Sequence, residues 1–222
     1  MDSKTEKDVL NRQKPHWEQT YAVNPEVFGD GPNEPAKNAA EVFHTEGVST
    51  ILELGAGQGR DTIFFARNGF HVCALDYAET GVEAIREKAA ELELSALITT
   101  VRHDVRQTFT FKDDSFDACY SHMLFCMALT TDELEFLSKE ISRVLKPGGI
   151  CIYTVRHTGD AHYGTGIHRG EDMYEMGGFI VHYFSKEKVE CLAKGFEVLE
   201  IDEFEEGLLP RKLFRVTMRN RV

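Results

Sequence analysis

Ile51-Leu52-Glu53-Leu54-Gly55-Ala56-Gly57-Gln58-Gly59-Arg60-Asp61 is the stretch whose reading decides the fold. Thr50–Leu54 reads as an apolar strand and residues 61–68 as the body of a helix, with three glycines between them. A glycine-rich loop joining a strand to a helix is the context that a cofactor loop requires. Gly55 and Gly57 let the backbone turn sharply and approach a ligand without a Cβ in the way. Gly59 brings the helix close to the sheet, and the helix start offers unpaired main-chain N–H groups. Asp76 ends a second apolar run, residues 70–75, where a carboxylate can accept hydrogen bonds from both hydroxyls of a ribose.

Outward from this unit the chain keeps alternating. Residues 80–92 carry Val82, Ile85, Ala89 and Leu92 at helical spacing, and residues 132–145 carry Leu134, Leu137, Ile141 and Leu145 likewise. Between and after them, residues 97–101, 116–120 and 150–155 read as strands. Such alternation implies right-handed βαβ crossovers and a mostly parallel sheet covered on both faces. Ligands bind to such a sheet beyond the carboxyl ends of its strands. A helix capped by Ser185 leads into two runs, 196–204 and 212–219, joined by 205–211. The first run carries Glu197, Glu200, Asp202 and Glu203, and the second Lys212, Arg215 and Arg219. Opposite charges on neighbouring strands favour pairing, so an antiparallel hairpin is expected there.

The 222 residues are 42% hydrophobic and 28% charged, an ordinary globular mixture that excludes disorder and collagen-like repetition. Lys and Arg number 25 against 37 Asp and Glu, a formal net charge of −12. That balance disfavours nucleic acid and anionic membrane surfaces as partners. No apolar run approaches the roughly 20 residues of a membrane span, and residues 1–14 lack a signal-peptide core. The five cysteines are scattered with no C-x-x-C pair, so a zinc ribbon or redox motif is not expected. Cys73, Cys119 and Cys151 sit in strand-like runs and read as small hydrophobes. A reducing cytoplasm fits this usage.

The loop reads E-x-G-x-G-x-G, not the G-x-G-x-x-G of dinucleotide folds, and Glu53 suits a cationic ligand better than a pyrophosphate. At these residues the sequence resembles the class I S-adenosylmethionine-dependent methyltransferases. The resemblance covers about residues 36–155. It implies a doubly wound α/β fold with a seven-stranded, mostly parallel Rossmann-like sheet and a C-terminal antiparallel hairpin. It also implies S-adenosyl-L-methionine as cofactor and S-adenosyl-L-homocysteine as product. Glu53, Gly55, Ala56, Gly57 and Arg60 then belong to the cofactor loop, and Asp76, with Tyr77 beside it, matches the ribose-binding acid. Asp104 of Arg102-His103-Asp104-Val105 would accept from the adenine amine, while Val105 would donate its N–H to the ring. Ser121, after the fourth strand, joins this set. Leu145-Lys146-Pro147-Gly148-Gly149 matches the family's L-x-P-G-G turn, and Asp117 either matches its "FD" strand start or is a turn carboxylate. A finer resemblance, to methyltransferases of the tellurite-resistance and thiopurine type, rests on Gly59-Arg60-Asp61, Trp17-Glu18-Gln19-Thr20-Tyr21 and Asn24-Pro25-Glu26-Val27-Phe28-Gly29. It implies that Trp17, Tyr21 and Phe28 cover the cofactor, stacking over its sulfonium. The other reading is that they pack an N-terminal helix onto the sheet.

The methyl acceptor is expected beyond strands four and five. His122 is either a polar contact near the methionine portion or a structural histidine. The segment from Arg156 onward is too long for an ordinary connection and reads as a lid. As a lid, Arg156 and Arg169 would bind an anionic group and His157 would act as base. As a metal site, His157, His162, His168 and Asp160 lack ligand spacing, so no metal is expected. The third reading is a polar surface segment. The whole is expected to be one domain, 1–222: an N-terminal cover (1–35), a cofactor core (36–155), a substrate lid (156–183), then a helix and hairpin (184–222). The expected partner is a small-molecule acceptor such as a thiol or chalcogen oxyanion, with the chain a monomer or homodimer. A non-catalytic cofactor-binding module and a nucleotide-dependent oxidoreductase are the alternatives.

Overall fold

In the computed structural model, which describes residues 8–207 and 211–221, the runs flanking the glycine loop meet at the middle of a sheet. β1 (Thr50–Leu54) pairs in parallel with β2 (His71–Asp76) on one side and β4 (Phe116–His122) on the other. β3 (Ile98–Arg102) extends the sheet beyond β2, and β5 (Leu145–Arg156) extends it beyond β4. β10 (Arg211–Asn220) runs antiparallel to β5, and β9 (Phe196–Glu206) closes that edge, giving the order β3-β2-β1-β4-β5-β10-β9. This is the expected class of fold, with strand and helix ends displaced by one or two residues. β5 is the exception: it starts at Leu145 and runs through the expected Pro147-Gly148-Gly149 turn.

The helices are α1 (Gln13–Val23), α2 (Glu34–Thr45), α3 (Arg60–Arg67), α4 (Glu79–Glu91), α5 (Thr131–Val144) and α6 (Lys186–Leu192). Successive strand residues point to opposite faces, so each strand feeds two cores. Leu52, Leu54, Cys119 and Tyr153 pack with Leu137 and Ile141 of α5 on one face. Ile51, Ala118, Tyr120 and Ile152 pack with Phe43 of α2 and Phe65 of α3 on the other. The hairpin has the expected charge register: Lys212 faces Glu205, Arg215 faces and pairs with Asp202, and Arg219 faces Glu197. Asp117 is a structural clamp. Its Oδ2 accepts from Ser49 N, Thr50 N and Thr50 Oγ1, and its Oδ1 pairs with Lys146 Nζ at 2.6 Å.

The segment after β5 departs from the expected loop. It folds into a three-stranded antiparallel sheet of β6 (Ile167–His168), β7 (Met173–Met176) and β8 (Phe179–His182). Strands of two to four residues among glycines carry too short an alternation to register as a pattern. α1 is stitched to this small sheet by Gln13, whose Nε2 donates to Gly178 O (2.9 Å) and whose Oε1 accepts from Ile180 N (3.2 Å). Among the described residues no group of His, Cys, Asp and Glu has metal-site geometry, and no helix is long and apolar enough to cross a membrane.

α5 begins with a capping box: Thr130 Oγ1 accepts from Glu133 N while Glu133 returns a bond to Thr130 N. Thr130→Ala should therefore lower stability by about 1 kcal/mol in urea unfolding, with an unchanged m-value.

Candidate active site

The carboxyl ends of β1, β2, β4 and β5 open into one cleft of about 680 Å³. Its floor is the glycine loop. Gly55 and Gly57 take positive φ (70° and 56°), a conformation that glycine adopts at no steric cost. This turn sends Gly55 N and Ala56 N back to Leu75 O, and it presents Gly57 N to Asp76 Oδ2 at 2.8 Å. Asp76 Oδ1 accepts from Ala78 N, also at 2.8 Å, so the loops after β1 and β2 share one carboxylate. Burial pushes the Asp76 carboxyl up to about 6 against the pull of these N–H groups. Asp76 lines the cleft, and a carboxylate has acceptor capacity beyond these two bonds.

Glu53 also lines the cleft, but its Oε2 accepts from Thr62 Oγ1 of α3 at 2.6 Å. Burial, with Asp61 nearby, holds its carboxyl well above the ordinary range. Further along the rim, Tyr77, Asp104 and Val105 line the cleft. Asp104 is gripped by Arg106 through Nε (2.9 Å) and Nη2 (2.7 Å). Burial pushes the Asp104 carboxyl up, but these bonds outweigh it and hold the group below its usual value.

The roof is aromatic. Trp17 lies 5.5 Å from Tyr21, 6.1 Å from Phe28 and 4.9 Å from Phe179 of β8, centroid to centroid, and all four rings line the cleft. Tyr21 and Trp17 thus pack α1 down and face the cavity at once, so the two expectations for them are compatible. Glu18, next to Trp17 on α1, ties the helix to the floor. It accepts from Glu79 N (2.6 Å), Thr80 N (3.1 Å) and Thr80 Oγ1 (2.7 Å) at the start of α4. Arg60 lines the cleft and donates to Phe28 O.

Three expected contributors lie elsewhere. Ser121 is fully buried and donates to Leu54 O at 3.1 Å, a link between strands that faces away from the cleft. His157 stacks on Phe214 at 4.4 Å and uses Nδ1 to accept Gly159 N, so it cannot serve as a base in the cleft. Arg169 is neutralised by Glu175 at 2.5 Å and borders a separate small depression. Arg156 does reach the cleft, with its Nε and Nη2 edge held by the buried carboxylate of Asp160. Beside it stand His122, expected near the methionine portion, His162, Glu206 and Arg211. The charge pairing of the hairpin was the signal available for Glu206 and Arg211. The strand lengths needed to bring them to the rim were not.

Residues 51–149 match a family model described as "Methyltransferase domain". The chain can be laid over a Burkholderia thailandensis 1,6-didemethyltoxoflavin-N1-methyltransferase, solved with S-adenosylhomocysteine, at a TM-score of 0.77. That match is 18% identical and covers 100% of this chain and 92% of the other. By the family match, residues 51–149 are a methyltransferase domain. TehB of Haemophilus influenzae shares the methyltransferase fold at a TM-score of 0.68 and 16% identity, over 92% of this chain and 67% of that one. In sequence, a demethylmenaquinone methyltransferase of Clavibacter sepedonicus is 32% identical over 124 residues, 56% of this chain and 46% of the relative. A sterol 4-C-methyltransferase of Caenorhabditis elegans is 30% identical over 164 residues, 70% of this chain and 46% of the relative. The chain thus spans less than half the length of these curated relatives.

The floor of the methyltransferase cleft depends on close approach of α4. A Cβ on Gly81 would stand 2.5 Å from Gly57 O, a main-chain atom that cannot swing aside. Gly81→Ala should cost about 1–3 kcal/mol of stability, read as a lowered Tm, through displacement of the glycine loop.

Proposed function

We propose that the chain transfers the methyl group of S-adenosyl-L-methionine to a small-molecule acceptor bound at the far end of the same cleft. The observation that carries this reading is the buried Asp76 carboxylate. It is fixed by Gly57 N and Ala78 N, and it lines a cavity that the glycine loop also lines. That arrangement fits a ribose diol. Asp104 and Val105, one loop further along the rim, fit the adenine edge, and Trp17, Tyr21 and Phe28 fit a roof over a sulfonium.

When bound, the cofactor supplies a methyl group made electrophilic by its positive sulfur. The residues of the chain then have three tasks: to hold the nucleoside, to exclude water and to orient the acceptor. Orientation and desolvation account for much of the rate of an in-line transfer, and a thiolate or chalcogen oxyanion needs no proton removed. Such acceptors are consistent with a cleft in which His157 takes no part. The glycine spacing and the Thr62-bound Glu53 disfavour a pyrophosphate-bearing dinucleotide.

Calorimetric titration should give binding of S-adenosylhomocysteine and none of NAD; preference for NAD would overturn the reading. Release of S-adenosylhomocysteine during a screen of thiols and chalcogen oxyanions then tests turnover. Asp76 also sets a pH dependence. Its native carboxyl titrates near 6, above the 3.8 of an ordinary Asp, so protonation on descending through 6 removes acceptor capacity toward the diol. Affinity for S-adenosylhomocysteine should be about tenfold weaker at pH 5 than at pH 7, and Asp76→Asn should flatten that slope.

A further inference from the structure

The far end of the cleft gathers hydrogen-bond donors whose state is fixed by partners behind them. β4 and β5 pair His122 with Thr154, and Arg156 lies two residues beyond Thr154 on the same face of the sheet. β5 pairs with β10, and β10 pairs Arg211 with Glu206, which completes the rim. Register alone therefore assembles His122, Arg156, Arg211 and Glu206 there.

The hydrogen bonds then settle what each imidazole presents. Thr154 Oγ1 already accepts Met123 N at 3.1 Å. Among the described residues its own hydrogen has one acceptor, His122 Nδ1 at 2.9 Å. His162 Nδ1 lies 2.8 Å from Arg156 Nη2, and a guanidinium only donates. Both imidazoles consequently use Nδ1 as acceptor and carry their hydrogen on Nε2. Arg156 is held through Nε and Nη2 by Asp160, and its Cζ sits 5.2 Å from the Tyr183 ring centroid. Its Nη1 makes no hydrogen bond among the described residues.

One carboxylate stands among these donors. Glu206 Oε1 is 3.6 Å from His122 Nε2, and Glu206 Oε2 is 4.0 Å from Arg211 Nη1. These are ion-pair distances, longer than a good hydrogen bond, so Glu206 occupies the cluster loosely. Asp61, another acid that acts on His122, is engaged by Asn33 through both its main-chain and side-chain nitrogen and pairs with Arg60 at 3.5 Å.

We infer that this cluster is an anchoring subsite for an anionic oxygen group, a carboxylate or its chemical equivalent, on an acceptor with an aromatic or apolar body. The locked Nε2–H groups of His122 and His162, Arg156 Nη1 and Arg211 are its donors, and Glu206 is an internal stand-in that the acceptor displaces. Tyr183, beside Arg156, and Tyr174, its ring 6.2 Å from that of Tyr183, line the cleft and suit the acceptor's body. The inference rests on the methyl-transfer reading for the word acceptor, but the subsite itself does not depend on a bound donor. It replaces the expected pairing of Arg156 with Arg169 by one that the fold brings together.

Benzoate and its neutral isostere benzamide are the probes, titrated into the whole chain by calorimetry. Benzoate should bind about tenfold more tightly than benzamide. Arg211→Ala should weaken benzoate by about fivefold, because the side chain is half exposed and its loss leaves the fold intact. Glu206→Gln should tighten benzoate by about threefold, a gain that a purely structural Glu206 would not produce. Long-range ¹H–¹⁵N spectra should show Nδ1 without hydrogen in neutral His122 and His162. Equal binding of the two probes, weaker binding to Glu206→Gln, or a hydrogen on either Nδ1 would overturn the inference. Loss of S-adenosylhomocysteine binding in the unmodified chain would strike the methyl-transfer reading alone, since the probes and the tautomers are read without it.

Discussion

A single buried carboxylate bridges two main-chain N–H groups at the crest of the sheet, and the rest of the cleft is built to keep that bridge in place. Asp76 ties Gly57, on the loop after β1, to Ala78, at the threshold of α4. Parallel strands end with main-chain groups that have no strand partner, and burying them unpaired would cost more than any side-chain contact at the rim returns. Satisfying them with one charged acceptor pulls two loops together and leaves a polar edge facing the cavity. Gly81 is then required for α4 to come close, and Glu18 caps the same helix from the roof. Floor and roof are thus held at one corner.

The parts of the fold that could be read along the chain are those set by local periodicity. Strands β1 to β5 and the helices between them are long enough for a face to declare itself, and the hairpin declared itself by charge. β6, β7 and β8 did not, because a two-residue strand has no period. In the site, residues fixed by a loop's own geometry were legible: Gly55, Gly57, Asp76, Asp104 and Val105 all border the cleft. Residues chosen by neighbourhood in sequence fared differently. Ser121 and His157 adjoin cleft residues, but each points across the strand to the other side. A one-residue step in a strand reverses the side chain, and sequence proximity carries no memory of that.

Charge shows the same contrast between whole and part. The chain is acidic overall, at −12. The acceptor end of the cleft is instead rich in donors, with Arg156 and Arg211 beside two imidazoles. A cationic donor site and a donor-rich acceptor site coexist because the Asp76 carboxylate serves the one and the guanidinium groups of Arg156 and Arg211 the other. A field so divided orients a molecule that carries charge at only one end.

Trp17 is the sole tryptophan of the chain, and it stands where α1, Phe28 and Phe179 of the small sheet meet over the cavity. Helix and sheet are also joined there by the two bonds of Gln13. The indole is therefore a built-in optical gauge: its emission reports the polarity of that seam, and a molecule taken up beneath the roof is read with no label added.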